Sequence, residues 1–464
     1  MPPVASPRLG TSGCDYPSRI EFDKKPSKKV GKVLAHKSFR FCYTFRTMMK
    51  RIDNRWIALG LLWVAYFLLQ GTRQIYGATL PQIRADFGVD DLRMGAVASV
   101  FFFAYAAVVP LGGFAADLFR RKWVIVLGSA LFVSGVFLAS FASSVGLLIL
   151  TYGILNGVGQ SLVPTSSTSV IQQLHAESRA TALSVYQLAA YAGIILCSVS
   201  SGYLGSLGPG GWRSAFRVFG GFGILWVAVL VVFLREPPAG AAAARPKVAR
   251  ALKEGFLALA TKPSAILMTL AFGLSNFGDI GFRTWMPTFL QEGLSLAPAR
   301  AAFHAVIWFY VGGFLGILAG SRLSDAGKRR GRIGARLDCN LVGLVLCAPL
   351  VCLVVRLSGS LAATAAALAA YGFVHGFYDA NFIASFYEVI VPRYRTSAYG
   401  LYASGAFALG ACAPVVLGAL RQSFPMTTAF ATLGGFYLAA AALTLVARTV
   451  FLKRDYEYER DETR

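Results

Sequence analysis

Five ionisable side chains stand inside apolar stretches of this 464-residue chain, where a charge is expensive unless it faces a cavity or a partner. Arg73 lies about two-thirds along the run 56–80, with Tyr66, Gln70 and Gln74 on nearly the same helical face and Tyr76 three residues on. Its guanidinium is a planar fork of donors suited to a carboxylate or phosphate; the competing reading is a structural bridge to another helix. In the run 264–290, Asn276, Asp279 and Arg283 share one face. Asp279 and Arg283 are also spaced to neutralise each other. In the run 361–390, His375 and Asp379 are four apart, with Tyr378 and Asn381 adjacent. A deep carboxylate beside a histidine can take up and release a coupling proton, and it can equally be a buried hydrogen-bond pair. The substrate candidates are therefore Arg73, Gln70, Tyr76, Gln160, Asn276 and Arg283. Asp379, Asp279 and His375 are the proton candidates.

These groups recur in two halves. Tyr152-Gly153-Ile154-Leu155-Asn156-Gly157-Val158-Gly159-Gln160 lines up with Tyr371-Gly372-Phe373-Val374-His375-Gly376-Phe377-Tyr378-Asp379. Arg73 stands eight residues before Pro81, as Asp279 stands before Pro287. A membrane chain whose halves repeat, with ionisable groups at matched depths, reads as a two-bundle transporter with its site between the bundles.

The elements that must hold these residues are transmembrane helices. The chain is 56% hydrophobic and only 14% charged, and apolar runs of about 20 residues, the length that crosses a bilayer as helix, recur along it. Alternating strand patterns are absent, which argues against a barrel. The fold class is all-α, twelve membrane helices in two pseudo-symmetric bundles. The 55–234 bundle is followed by a linker at 235–263 and a second bundle at 264–450. A basic tail at 1–54, read as disordered, and another tail at 451–464 flank them. Met48-Met49 offers an alternative translation start to Met1. The linker's Val248, Leu252, Phe256 and Leu257 form an amphipathic piece expected on the membrane surface. Glycine spacings at Gly153/Gly157 and Gly312/Gly316/Gly320 are expected to let helices cross closely.

The formal charge of +23 could point to nucleic acid, but its placement says otherwise. Basic residues gather between alternate spans, at 120–122, 235–262 and 322–336, and in the C-terminal tail. This places both termini in the cytoplasm of a multi-pass plasma (inner) membrane protein. The 7 cysteines and 4 histidines show no metal spacing, and no phosphate loop, dinucleotide fingerprint or nucleophile motif occurs. No cofactor, metal or catalysis is expected, and the energy source is a proton or counter-anion gradient.

The segment after the second span reads Gly113-Phe114-Ala115-Ala116-Asp117-Leu118-Phe119-Arg120-Arg121-Lys122, and that after the eighth Gly320-Ser321-Arg322-Leu323-Ser324-Asp325 before a basic cluster. These resemble the loop signature of the major facilitator superfamily, with Leu118 and Arg120 departing from its usual form. In that superfamily such an aspartate helps lock the cytoplasmic gate, so the resemblance implies gating roles for Asp117 and Asp325; a surface ion pair is the plainer reading. Arg73-Gln74-Ile75-Tyr76 with Pro81, and Trp285-Met286-Pro287, resemble the organophosphate:phosphate antiporters. The related anion:cation symporters also carry an arginine at the Arg73 place. The antiporters' second arginine is replaced here by Asp279.

The sequence thus reads as a secondary transporter of a small organic anion (sugar acid, carboxylate or sugar phosphate). It is expected to be proton-coupled, monomeric and to work by alternating access. Exchange of phosphate esters and metabolite sensing without net transport are the alternatives. A drug exporter fits less well, because its glycine-proline signature is missing from 180–205. Tyr186, Tyr191, Trp285, Trp308 and Tyr310 are aromatic candidates for the cavity wall or for packing.

Overall fold

The computed structural model describes residues 54–235 and 248–456. Helix α1 is Asn54–Phe87, α2 Asp91–Leu118, α3 Arg121–Ala139, α4 Val145–Leu174, α5 Arg179–Gly205 and α6 Gly211–Phe233. After α7, Val248–Ala260, come α8 Pro263–Gly293, α9 Pro298–Arg329, α10 Ala335–Arg356 and α11 Leu361–Val389. The last two are α12, Ser397–Ser423, and α13, Met426–Asp455. Helix ends are satisfied locally. The Asp90 carboxylate and the Ser144 and Ser360 hydroxyls accept backbone N–H groups of the first turns of α2, α4 and α11.

Among the described residues, 11 helices are long and apolar enough to cross a membrane. Helix α1 is the twelfth of the expected spans. Its 34 residues exceed the need, and its polar stretch Gln70–Gln74 is what sets it apart. Leu225, Val232, Leu196 and Leu188 point outward and exposed, as lipid-facing side chains do. On α7, Phe256 and Leu257 are exposed beside Lys253; the side chain of Val248 lies outside the described residues.

The glycine spacings do what the sequence analysis expected. A Cβ on Gly312 or Gly316 would sit 2.0 Å from the Ala369 carbonyl oxygen or 1.9 Å from that of Phe373, so α9 and α11 cross backbone to backbone. Gly157 likewise lies against the Phe101 carbonyl of α2.

Several boundaries differ from expectation. Gly113–Leu118 and Gly320–Asp325 are helical and not loop, because α2 and α9 run on to Leu118 and Arg329. The second bundle does not stop at 450. Helix α13 continues to Asp455, whose buried carboxylate accepts from the Ser264 backbone N–H at 3.0 Å and its hydroxyl at 2.8 Å, fastening the start of α8. The expected tails lie almost wholly outside the described residues, as does 236–247 of the linker. Three breaks were not foreseen, one of them a π-helical stretch at Ala447–Phe451 in α13. Helix α4 contains a π-helical stretch, Ile149–Leu155, and α12 is interrupted at Ala411 and Cys412, just before Pro414.

Candidate functional site

A cavity of about 180 Å³ lies between the first-half helices α1, α2, α4, α5 and the second-half helices α8, α9, α12. Gln70, Arg73 and Gln74 line one side; Asn276, Asp279 and Arg283 line the other.

Arg73 is held from behind. Its Nε donates to Gln160 Oε1 of α4, while Gln160 donates to Thr72 Oγ1 at 3.1 Å and Asn156 Oδ1 at 2.9 Å. The π-helical stretch ends at Leu155, immediately before Asn156, and so sets the facing of this pair. Gln160, a substrate candidate from sequence, is fully buried and does not line the cavity; it holds the guanidinium from behind. The guanidinium also stacks over Tyr105, 4.6 Å from the ring centre, and lies 5.8 Å from that of Phe101. No carboxylate pairs with Arg73 among the described residues. Tyr76 contributes wall only: its hydroxyl donates to the Met94 carbonyl at 2.6 Å and its ring stacks on Tyr152.

Arg283 differs. Its Nε donates to Asp279 Oδ1 at 2.6 Å and its Nη1 to the Tyr310 hydroxyl at 2.7 Å, so Asp279 neutralises it, as the helical spacing allowed. Behind Asp279 sits His375. Its Nδ1 is 3.1 Å from Asp379 Oδ2, and its Nε2, without a hydrogen bond, is 3.9 Å from Asp279 Oδ1. Both ring nitrogens thus face carboxylates, so a proton on either has an acceptor. Gly372 and Gly376 bracket His375 and let α11 close on α9, which brings it there. His375 is buried behind the cavity wall, whereas Asp379 is 36% exposed; neither lines the cavity itself. Asn276 is 8% exposed, and its side-chain N–H groups lack a partner at the cavity.

At the end of the helices nearest the α1–α2 turn, four charges close a ring that sequence reasoning missed. Arg84 of α1 meets Asp91 of α2 at 2.7 Å and Glu292 of α8 at 2.8 Å. Arg421 of α12 meets Glu292 at 2.7 Å and Asp91 at 3.3 Å. Two of these pairs join the halves, and Gln82–Gln291 and Gln422–Asp90 hydrogen bonds add to them. The available signal was placement: Arg84 and Glu292 each follow Pro81 or Pro287 by a turn or so in the two repeats.

On the other, basic side stands Asp325, expected from sequence as a gating residue. Asp325 is 56% exposed and 4.0 Å from Arg336 of its own half. The buried acid there is Glu388, bridged to Lys328 at 2.8 Å and Arg336 at 3.1 Å. Asp117 is the penultimate residue of α2, and its side chain lies outside the described residues. Among the aromatic candidates, Tyr310 lines the cavity, and Tyr191 packs edge-on against it. Trp285 is fully buried and donates to the Pro414 carbonyl, Trp308 donates to His304, and Tyr186 stacks on Tyr66.

The sequence model of the Major Facilitator Superfamily matches residues 62–337. Protein spinster homolog 1 of Xenopus laevis is 28% identical over 287 residues, 58% of this chain. The chain spans about half (54%) of that relative's length. The probable sulfoacetate transporter of Cupriavidus necator is 27% identical over 322 residues, 65% of this chain and 74% of that one. Among solved structures, a bacterial homolog of the human lysosomal transporter Spinster, inward-facing and occupied, superposes with TM-score 0.72 at 19% identity, covering 88% of this chain and 99% of that chain. A nucleoside transporter superposes with TM-score 0.67 at 16% identity, covering 84% and 99%. At such identities the superpositions speak for the fold alone. With two sets of helices about a central cavity, and a family model spanning more than half of its length, this chain belongs to the Major Facilitator Superfamily of membrane transporters.

Proposed function

We propose that the chain is a proton-coupled transporter of a small organic anion, working by alternating access of two bundles, 55–234 and the helices from 264 onward, in the plasma membrane. Arg73 carries this reading: a permanent cation without an acidic partner among the described residues, at a cavity between the halves. A low-dielectric site keeps such a charge for a ligand of opposite sign. The orphaned Asn276 amide supplies a second donor across the cavity. His375 between two carboxylates supplies the proton site. The anion named for the Cupriavidus relative fits the same class. Exchange of phosphate esters is the second reading, carried by the likeness of Arg73-Gln74-Ile75-Tyr76 and Pro81 to the organophosphate antiporters. The pairing of Arg283 with Asp279 weighs against a two-arginine phosphate clamp. Reconstituted protein is expected to show counterflow of at least one sugar acid, short carboxylate, sulfonate or phosphate ester. Counterflow confined to cations or neutral solutes would refute the anion reading.

With basic loops toward the cytoplasm, the four-charge ring closes the outer end and the form described is inward-facing. The buried basic-side pairs of Glu388 with Lys328 and Arg336 lie within the second half. Asp91→Asn with Glu292→Gln removes both acids from the ring. Partly exposed pairs are worth about 0.2–1 kcal/mol each, and only the two that join the halves, Arg84–Glu292 and Arg421–Asp91, are lost on opening, so removing them shifts the balance by roughly 2- to 30-fold toward outward opening. A cysteine at Gln74 in this background is expected to react faster with a membrane-impermeant maleimide added to intact cells. Unchanged labelling would remove the ring from the gate.

A further inference from the structure

Resting on the anion reading above, we propose that this carrier takes monoanions and moves each with one proton, so that transport is electrically silent. Count the charges at mid-membrane depth among the described residues. Arg73 and Arg283 are balanced by Asp279 and Asp379, and the empty core is neutral while His375 is neutral. The other titratable groups facing His375 are Tyr371 and Tyr378 of α11 and Tyr437 of α13, while Tyr310 of α9 and Cys347 of α10 lie near its carboxylates Asp279 and Asp379. Phenols and thiols are neutral at physiological pH and leave the count unchanged.

A monoanion docked on Arg73 makes this core negative by one charge. One proton on His375 restores neutrality, and the ring is already placed for it, with Nδ1 and Nε2 facing Asp379 and Asp279. The proton comes from water on the entry side and returns to water on release; no covalent bond is made or broken. Both forms that must reorient across the bilayer, empty and doubly loaded, then carry no net charge through a medium that penalises one. The half-loaded forms carry one and are held back, which is the coupling. A dianion with the same proton leaves a net negative core, so dianions are excluded unless they arrive protonated.

The test uses full-length protein in proteoliposomes with an imposed pH gradient, with or without a valinomycin-set potassium potential. Gluconate, lactate and isethionate serve as monoanions; malonate, sulfoacetate and glycerol 3-phosphate serve as dianions. The expected result is accumulation of at least one monoanion that follows the pH gradient and is unchanged by potential. A carrier moving one net charge would instead change its accumulation ratio roughly 50-fold for about 100 mV. That response, or a dianion accumulating above every monoanion, overturns this inference while leaving the anion carrier standing. Movement of none of the six overturns both.

Discussion

Arg73→Ala abolishes anion counterflow and leaves the folded protein intact. The guanidinium makes no ion pair among the described residues; its removal takes away the hydrogen bond to Gln160 of α4 and the stacking on Tyr105, and leaves the buried Gln160 oxygen without that donor. A charge-assisted hydrogen bond contributes about 1.5–3 kcal/mol, and a bidentate grip on the substrate involves two. Flux at low substrate concentration should fall by at least about 100-fold on that scale. Arg73→Lys keeps the charge but loses the fork and the stacking on Tyr105, so partial activity is expected. Counterflow paired with a thermal-unfolding scan separates loss of binding from loss of fold. Wild-type flux in the alanine variant would remove the anion from the account.

Asp379→Asn separates coupling from binding. Asp379 is not in the cavity wall, so the substrate keeps Arg73, Asn276 and the Asp279–Arg283 pair. His375 loses its 3.1 Å carboxylate and retains only Asp279, 3.9 Å away and already engaged by Arg283. A proton on the ring then has little to bind it there. Accumulation driven by a pH gradient is expected to vanish, while exchange of labelled for unlabelled anion persists. Since the empty core of this variant holds one excess positive charge, net flux should also become sensitive to membrane potential. Ordinary proton-driven accumulation by Asp379→Asn would exclude the residue from coupling.

Much of this site was legible because helical spacing is local information. Asp279 with Arg283 and His375 with Asp379 were visible as four-residue pairs, and Arg73 as a charge in an apolar run. The links between those pairs were not visible. That His375 of α11 would also face Asp279 of α8 depends on Gly372 and Gly376 letting α11 close against α9, which no spacing along one helix encodes. That Gln160 of α4 would meet Arg73 of α1 was likewise not visible, since the contact joins two helices. The ring Arg84–Asp91–Arg421–Glu292 draws on four helices and looked like ordinary surface charge in each. Asp325 stood out through its motif, yet the acid buried on that side is Glu388, one helix pair further on.

The contact of α2 with α12 has a mechanical consequence. It starts where Gly418 nestles against the Asp91 carbonyl and Gly95 against that of Pro414, passes Ser404 bonded to the Ala106 carbonyl, and reaches Gly400 beside Pro110. Across the molecule, α5 touches α9 near Gly202 and Pro298 and at Ser198 and Ala302, toward the ring end. A door hung along one full edge and latched at a single corner of the other swings about the hung edge. Opening to either face should therefore turn on the α2–α12 line as on a hinge pin, with α5 and α9 making the widest excursion.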